Sequence, residues 1–165
     1  MRLRPYIHSH DFNSIKNWIT DKRTHAMWSA NHAPYPLENE AFSDFLAWIY
    51  PKYGDCPFVA TTDDGTIVGF ICCSINYETN EAMLAFVVID PAQRGNGYGR
   101  GMIQLAAKYC FEMLKANMVQ LNVFTINEKA RKCYESAGFK ERQTTPDAFA
   151  FGDELWGRCN MILNR

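Results

Sequence analysis

The chain has 165 residues, of which 47% are hydrophobic, and this is enough for one domain with a full core. Seventeen basic side chains against eighteen acidic ones give a formal net charge of -1, which argues against a nucleic-acid-binding protein. No apolar run approaches the length of a membrane span, and the N-terminus lacks the apolar core of a signal peptide. We therefore expect one domain over residues 1–165 in the cytoplasm, with no membrane and no nucleic acid among its partners.

The N-terminal third predicts one strand and three helical regions. These are a strand near Leu3–Pro5, a helix over Asp11–Ile19, a helical region over Thr24–Ser29 and a helix over Glu38–Ile49. Ser9 or Asp11 is expected to cap the first helix, and Pro51 is expected to end the last one.

The rest of the chain alternates strands with two further helices. Strands are predicted over 58–61, 66–76, 83–89, 118–124, 139–144 and 155–163. One helix is predicted to begin at Tyr98, and another is predicted over Glu128–Ser136. The order β-α-α-β-β-β-α-β-α-β-β predicts an α/β (α+β) fold, with a mixed, mostly antiparallel sheet and helices on both faces.

The cysteines and histidines indicate no disulfide framework and no metal. The six cysteines form no C-x-x-C pair, and those at 72, 110, 133 and 159 fall within apolar strands or helices. The four histidines lie in the first fifth of the chain, away from most of the cysteines. We expect reduced core thiols and no metal site.

Residues 87–101, VVIDPAQRGNGYGRG, carry the strongest functional signal. An apolar strand ends at Asp90-Pro91, and glycines at 95, 97, 99 and 101 precede a helical apolar pattern. The first N–H groups of a helix have no partner within the helix, so they bind anions, and glycine lets those amides approach a ligand closely. Arg94 and Arg100 flank the loop and suit a pyrophosphate.

Two common phosphate loops are excluded. No G-x-x-x-x-G-K-[ST] occurs, and the dinucleotide pattern G-x-G-x-x-G fails because its last position falls on Arg100 or on Met102. The pattern that remains is R-x-x-G-x-G, from Arg94 to Gly99.

This hexad after a strand ending in D-P resembles the coenzyme A pyrophosphate loop of the GNAT superfamily of N-acetyltransferases. A second match follows, in which a strand over Leu121–Phe124 precedes Asn127, a helix and the sequence Tyr134-Glu-Ser-Ala-Gly-Phe139. Together the two motifs make residues 82–140 similar to that family, whereas the first 55 residues resemble it only weakly.

The resemblance implies acetyl transfer from acetyl-CoA to an amine, by direct attack and without a metal. The pantetheine arm is then expected to bond to strand backbone, an amide of which also polarises the thioester carbonyl. Tyr134 is expected to be the general acid that protonates the leaving thiolate. The cofactor-binding residues expected are Val87, Val88, Ile89, Arg94, Gly95, Asn96, Gly97, Tyr98, Gly99, Arg100 and Asn127.

The general base departs from the pattern of some family members. Their glutamate, five residues before the conserved asparagine position, is Asn122 here, which cannot accept the proton of an ammonium. Glu81 and Glu78, at the start of the strand that ends at Ile89, are substitutes by position alone. Solvated turn carboxylates are the alternative interpretation of both.

The acceptor pocket is expected to come from the first helices, the turn over 77–81 and the segment before the last strand. Its candidate wall residues are Trp28, Tyr35, Tyr77, Phe149 and Trp156, for which core packing is the alternative. Thr144–Asp153 is predicted to form a mobile loop over the site. The acceptor is a primary amine of a small molecule or of a protein, and a homodimer is possible by resemblance to the family.

Two other functions stay open at the level of sequence. A binding or sensor module would keep the coenzyme A site without turnover, and Asn122 favours it slightly while Tyr134 favours the enzyme. If the glycine loop is only a turn, the protein binds no coenzyme A.

Overall fold

The computed structural model describes all 165 residues, with seven strands in one sheet of order β1-β2-β3-β4-β5-β7-β6. The strands are β1 (Arg2–Pro5), β2 (Cys56–Thr61), β3 (Ile67–Asn76), β4 (Glu81–Ile89), β5 (Met118–Phe124), β6 (Lys140–Phe151) and β7 (Glu154–Asn164). The helices are α1 (His8–Trp18), α2 (Lys22–Ser29), α3 (Asn39–Tyr53), α4 (Tyr98–Glu112) and α5 (Glu128–Ser136). A 3₁₀ turn, Pro91–Gln93, follows β4.

The predicted fold class is confirmed. Neighbouring strands are antiparallel except for β4 and β5, which run parallel, and helices cover both faces of the sheet. The predicted order of elements is found with one more helix, because three separate helices lie between β1 and β2. None of the helices is both long and apolar enough to cross a bilayer.

Each face of the sheet has its own hydrophobic core. On one face α4 and α5 pack against β3, β4, β5 and β7, with Ile103, Leu121 and Met161 at the centre of the contact. On the other face α1 and α3 pack against β2, β3 and β4 through Phe42 and Phe70. The short helix α2 covers a third, smaller cluster, which consists of Ala26, Phe124 and Trp156. The α2 face therefore has a separate contact with the ends of β5 and β7.

The start of α1 and the end of α3 differ from the sequence-based prediction. The N-cap of α1 is Ile7, not Ser9 or Asp11. Asp11 lies within the helix, where its carboxylate accepts a hydrogen bond from the Ile7 N–H at 2.8 Å. Pro51 does not end α3, which runs on to Tyr53. Its ring lies on the exposed side of the last turn, where a proline removes only one hydrogen bond, and Gly54 ends the helix at φ 71°.

The segment Thr144–Asp153 is not the predicted loop. It continues β6 to Phe151 and pairs back onto β7, with Phe149 opposite Trp156. Pro146 falls in a register shift between Thr145 and Phe149, where a strand tolerates a missing N–H. Only Gly152 and Asp153 form the turn between β6 and β7. The other residues of the predicted loop are therefore part of a paired β-hairpin.

Candidate active site

A gap opens in the sheet between β4 and β5. Only residues Glu81–Leu84 of β4 pair with residues Met118–Leu121 of β5, although both strands continue beyond these residues. Just past Leu84, two residues of β4, Phe86 and Val87, lie opposite the single residue Ile71 of β3, which is a β-bulge. A bulge bends its strand, so the following residues of β4 diverge from β5 and leave backbone groups unpaired along the gap.

Trp28 of α2 holds the bulge in place. Phe86 has φ 52°, a conformation that residues with a side chain seldom adopt. The indole N–H of Trp28 donates a hydrogen bond to the Phe86 carbonyl at 2.8 Å, and the two rings pack edge to face. The predicted pocket residue Trp28 therefore fixes the backbone beside the gap.

The glycine loop presents unpaired amides at the start of α4. Gly95 and Gly97 have φ 85° and 80°, and a Cβ at either would meet nothing within 4 Å, so both face open space. The first bond of α4 runs from the Gly101 N–H to the Gly97 carbonyl, and no acceptor binds the N–H groups of Tyr98, Gly99 and Arg100. Three amides thus point at the position where an anion binds best.

One cavity of about 660 Å³ connects this loop, the gap and α2. Its walls include Thr24, Met27 and Trp28 of α2, Val87, Val88 and Ile89 of β4, Gln93, Arg94, Gly95, Gly97, Gly99, Arg100 and Ile103 of the loop and α4, and Asn127, Lys129, Ala130, Lys132, Cys133, Tyr134 and Ser136 of α5. Of the predicted cofactor-binding residues, only Asn96 and Tyr98 are not among them. The cavity passes through the sheet, from the face of α4 and α5 to the face of α2.

The charge of the cavity suits a phosphorylated ligand. Arg94, Arg100, Lys129 and Lys132 line it, and none of the four forms an ion pair within the protein. No aspartate or glutamate lines it. Four uncompensated cations beside three free amides favour a ligand with several negative charges.

Tyr134 lies where the gap meets α5. Its side chain is only 7% exposed, yet it lines the cavity, and its hydroxyl has no hydrogen-bond partner within the protein. Burial raises the pKa of the Tyr134 phenol, followed by a smaller contribution from Cys133. The hydroxyl therefore stays protonated at neutral pH and has a free proton to donate.

Asn127 begins α5 and faces the same cavity. Its side-chain carbonyl accepts the Ala130 N–H at 3.3 Å as the N-cap, which leaves the side-chain NH₂ free for a ligand. Burial also raises the pKa of the neighbouring Cys133 thiol, so this cysteine is protonated at neutral pH and is a poor nucleophile.

The structure does not bring the two predicted base candidates to the gap. Glu81 binds the Arg142 guanidinium at 3.1 Å and the Gln120 amide at 2.8 Å, and it lies at the far end of β4. Glu78 lies in the exposed β3–β4 turn beyond it. Glu81 lies in the part of β4 that still pairs with β5, three residues before the divergence at Leu84, and neither Glu81 nor Glu78 lines the cavity.

The predicted acceptor-wall residues lie in four different places. Tyr77 is 82% exposed in the turn beside Glu78, away from the cavity. Tyr35 packs against the His25 ring at 5.1 Å, behind α2. Trp156 is 1% exposed and packs against the rings of Phe124 and Phe149 under α2, so Trp156 and Phe149 support the pocket without lining it. Of this set only Trp28 reaches the cavity.

The sequence analysis missed seven cavity residues on α2 and α5, among them two of α2 and two lysines of α5. Thr24 and Met27 flank Trp28 on one side of α2, and Lys129 and Lys132 lie three residues apart on α5. The spacing of the two lysines was a usable signal for a shared positive patch, because residues three apart on a helix are neighbours on its surface. Nothing in the local sequence indicated that α2 covers the gap.

Comparison with known proteins agrees with this geometry. The sequence profile of the acetyltransferase (GNAT) family matches residues 13–139, and the chain belongs to that family. It is an acetyl-CoA-dependent N-acetyltransferase, an enzyme that transfers acetyl to an amine.

Its relatives include two curated proteins. The spermidine N(1)-acetyltransferase of Vibrio cholerae is 29% identical over 136 residues, which cover 79% of this chain and 74% of that protein. An uncharacterised N-acetyltransferase of Methanocaldococcus jannaschii is 29% identical over 104 residues, covering 60% and 45%. Among solved structures, the Vibrio cholerae spermidine N-acetyltransferase in complex with CoA and spermine superposes with a TM-score of 0.83 at 22% identity, over 99% of this chain and 94% of that one.

Proposed function

We propose that the protein acetylates the primary amine of a small molecule, by direct attack of the amine on acetyl-CoA in a ternary complex. The observation that carries this proposal is the single cavity that joins free amides, a sheet gap and the helix α2 across the sheet. Acetyl donor and amine then approach one another from opposite faces. The spermidine acetyltransferases among the relatives support a small alkylamine as the acceptor.

The donor-binding half acts mainly through backbone. The amides of Tyr98, Gly99 and Arg100 would hold the diphosphate, with Arg94 and Arg100 adding charged hydrogen bonds. The unpaired edge of Val87–Ile89 would bond to the pantetheine amides as an added strand does, and one of its N–H groups would stabilise the oxyanion. Asn127 would contribute its free side-chain NH₂.

Tyr134 would protonate the departing thiolate. Burial raises the pKa of Tyr134, which keeps the phenol protonated but also makes it a weaker acid than a free coenzyme A thiol, whose pKa is about 8.5. The proton transfer is therefore uphill and would accompany cleavage of the C–S bond, after which solvent returns a proton to Tyr134. The placement of Tyr134 favours the enzyme over the sensor module, because simple binding needs no buried hydroxyl facing the gap.

The amine would lose its proton to water rather than to a carboxylate. No aspartate or glutamate lines the cavity, and Asn122 replaces the glutamate used by some family members. We therefore expect kcat/KM to rise with pH and to level off where the pH reaches the pKa of the acceptor amine, which is about 10 for an alkylamine.

The experiment is thiol release from acetyl-CoA across a panel of primary amines, with mass spectrometry of both product and protein. We expect acetylated amine and free thiol in equal amounts, and no acetylated protein when the amine is omitted. Thiol release with no amine in the panel would contradict the proposal, and an acetylated protein would contradict direct attack.

The proposal extends to the protein as a whole. We propose that residues 1–165 form one acetyltransferase domain that acts in the cytoplasm, where the six free cysteines stay reduced. The long exposed edge strand β6 supports pairing with a second copy. Light scattering in solution tests for a homodimer, and a monomer at all concentrations would contradict it.

A further inference from the structure

A second cavity, of about 290 Å³, lies on the sheet face that α2 partly covers. No hydrophobic residue lines it. We call it the polar basin; it is formed by Gln120, Asn122, Arg142, Gln143, Thr145, Arg158 and Asn160 of β5, β6 and β7. Side chains alternate along a strand, and Phe124 and Trp156 under α2 are in phase with Asn122 and Arg158, so the polar basin and α2 share one face.

Hydrogen bonds fix the floor of the polar basin. The Asn160 amide donates to the Gln120 and Asn122 side-chain oxygens, both at 3.1 Å. Arg142 donates to Asn160 at 2.9 Å and is held by Glu81 from the other side. The Asn122 oxygen accepts a hydrogen bond from Asn160, whereas the Asn122 NH₂ has no partner and is free to donate to a ligand.

Arg158 supplies an uncompensated positive charge. It is exposed, lines the polar basin and forms neither a hydrogen bond nor an ion pair within the protein. Glu81 neutralises the charge of Arg142, but no carboxylate faces Arg158 among the residues that line the polar basin. The free guanidinium and the free Asn122 amide together form a binding position for a carboxylate.

The polar basin touches the gap. The last pair between β4 and β5 joins Leu84 to Leu121, so Asn122 is the first residue of β5 beyond it, at the vertex where the strands diverge. Phe124, two residues on, lies under α2. Two residues of strand span about 7 Å, which is close to the length of a five-carbon chain.

We propose that the polar basin is an acceptor subsite that binds a carboxylate, so that the preferred acceptor is a primary amine with a carboxylate at its other end. This inference rests on the proposed function for the amine itself. Arg158 and the Asn122 amide bind the carboxylate, and the amine extends past Phe124 to the gap. Asn122, at the position where some family members have a glutamate, then serves recognition of the acceptor instead of proton transfer.

The charges of both cavities disfavour a polycation. Neither the twenty residues that line the larger cavity nor the seven of the polar basin include an aspartate or a glutamate. The second ammonium group of a diamine would lose water without gaining a counter-ion, and it would lie near Arg158. A carboxylate in the same place gains charged hydrogen bonds.

The test compares three acceptors with the same five-carbon chain: aminovalerate, pentylamine and cadaverine, which end in a carboxylate, a methyl and an ammonium group. We expect the wild-type kcat/KM to fall in that order. Arg158→Gln is expected to lower kcat/KM for aminovalerate about tenfold, through KM, and to leave that for pentylamine within about twofold. Arg158→Glu is expected to reverse the preference in favour of cadaverine.

Arg2→Gln is the matched control, because Arg2 is also an exposed strand arginine without an ion pair and lies at the opposite edge of the sheet. It is expected to leave all three acceptors unchanged. A wild-type preference for cadaverine, or an equal loss for all three acceptors in Arg158→Gln, would overturn the inference. Thiol release with none of them, nor with any other amine, would contradict the proposed function instead.

Binding of glutarate tests the polar basin without turnover. We expect glutarate to shift the side-chain amide NMR signals of Asn122 and Asn160 in the wild type and not in Arg158→Gln. If aminovalerate is acetylated, glutarate is added to the wild-type protein at the concentration of aminovalerate that saturates the reaction. If aminovalerate is not acetylated, glutarate is added up to its solubility limit. In either case, the absence of shifts would overturn the carboxylate subsite.

Discussion

The two halves of the proposed site, a donor half from Val87 to Tyr134 and an acceptor half around α2 and the polar basin, are built in different ways. The donor half uses backbone amides and a bent strand, and its residues follow one another within 48 positions of the chain, 87 to 134. The acceptor half gathers side chains from α2, β5, β6 and β7, which are far apart in sequence. A site made of backbone amides needs glycine at particular positions, so it can be recognised as a sequence motif. A site made of side chains from distant elements has no such motif, because each side chain can be replaced separately.

The largest expected effect separates chemistry from binding within the donor half. Tyr134→Phe removes the only buried hydroxyl that faces the gap, so we expect kcat to fall roughly a thousandfold while KM for acetyl-CoA stays within about twofold. Steady-state kinetics measures both. Tyr109→Phe, which changes a tyrosine on α4 packed against Phe58, is the control and should leave kcat unchanged. Equal kcat values in the two variants would remove the acid role of Tyr134.

Gly97→Val tests the backbone site. A side chain at φ 80° strains the loop and projects into the space beside the free amides, so we expect affinity for coenzyme A to fall about a hundredfold by calorimetry. Gly65→Val is matched, since Gly65 has φ 90° and an equally open surrounding in the β2–β3 turn. It should lower thermal stability similarly and leave coenzyme A affinity intact; a loss of affinity in both variants would assign the effect to destabilisation alone.

Asp11→Asn tests the layer that supports the acceptor half. Burial raises the pKa of the Asp11 carboxyl, but hydrogen bonds from Arg4, Ile7 and His10 outweigh it and lower the pKa to about 2. Because the folded-state pKa lies below that of the unfolded chain, this stabilisation is present above about pH 4 and is lost as the pH falls towards 2.

We expect Asp11→Asn to lower the free energy of unfolding by about 2 kcal/mol at pH 7, measured by urea denaturation, and by much less near pH 2. The KM for acetyl-CoA at neutral pH should not change, since α1 does not line the cavity. A loss that is the same at both pH values would show that the carboxylate charge contributes nothing.

The smallest expected effect concerns the position of α2. The Arg23 guanidinium donates hydrogen bonds to both carboxylate oxygens of Glu154 of β7 and lies 5.1 Å from the centre of the Trp156 ring. Arg23 therefore connects α2 to the β6–β7 hairpin. Exposed pairs contribute little, and we expect Arg23→Gln to raise KM for the acceptor about threefold with KM for acetyl-CoA unchanged. Lys16→Gln, which breaks the exposed pair with Glu38, is the control. An equal rise in both KM values would show that α2 does not separate the two halves.

Most residues that sequence reasoning predicted for the donor half line the cavity, because the signals for the elements that carry them are local. The glycines at 95 and 97, the N-cap Asn127 and the register of α5 follow from turn and helix chemistry that operates over a few residues. The same reasoning did not show that Glu81 and Tyr77 lie outside the cavity, since Glu81 is in the paired part of β4 and Tyr77 is in the turn before that strand, and the pairing depends on partners distant in sequence. It also treated Thr144–Asp153 as a loop, because proline and glycine signal an interruption whether or not a bulge absorbs it.

The sequence by itself determined that a strand, a glycine loop and a helix follow one another and leave free amides at the helix start, because the conformations of glycine and the unpaired N–H groups of a helix start are local properties of the backbone. Only the tertiary structure decided where β4 leaves β5, which residues of α2 reach the opening, and that Arg158 stands without a counter-charge. These features depend on contacts between residues up to 131 positions apart, as for Arg23 and Glu154, and long-range pairing is not encoded in any short stretch of the chain.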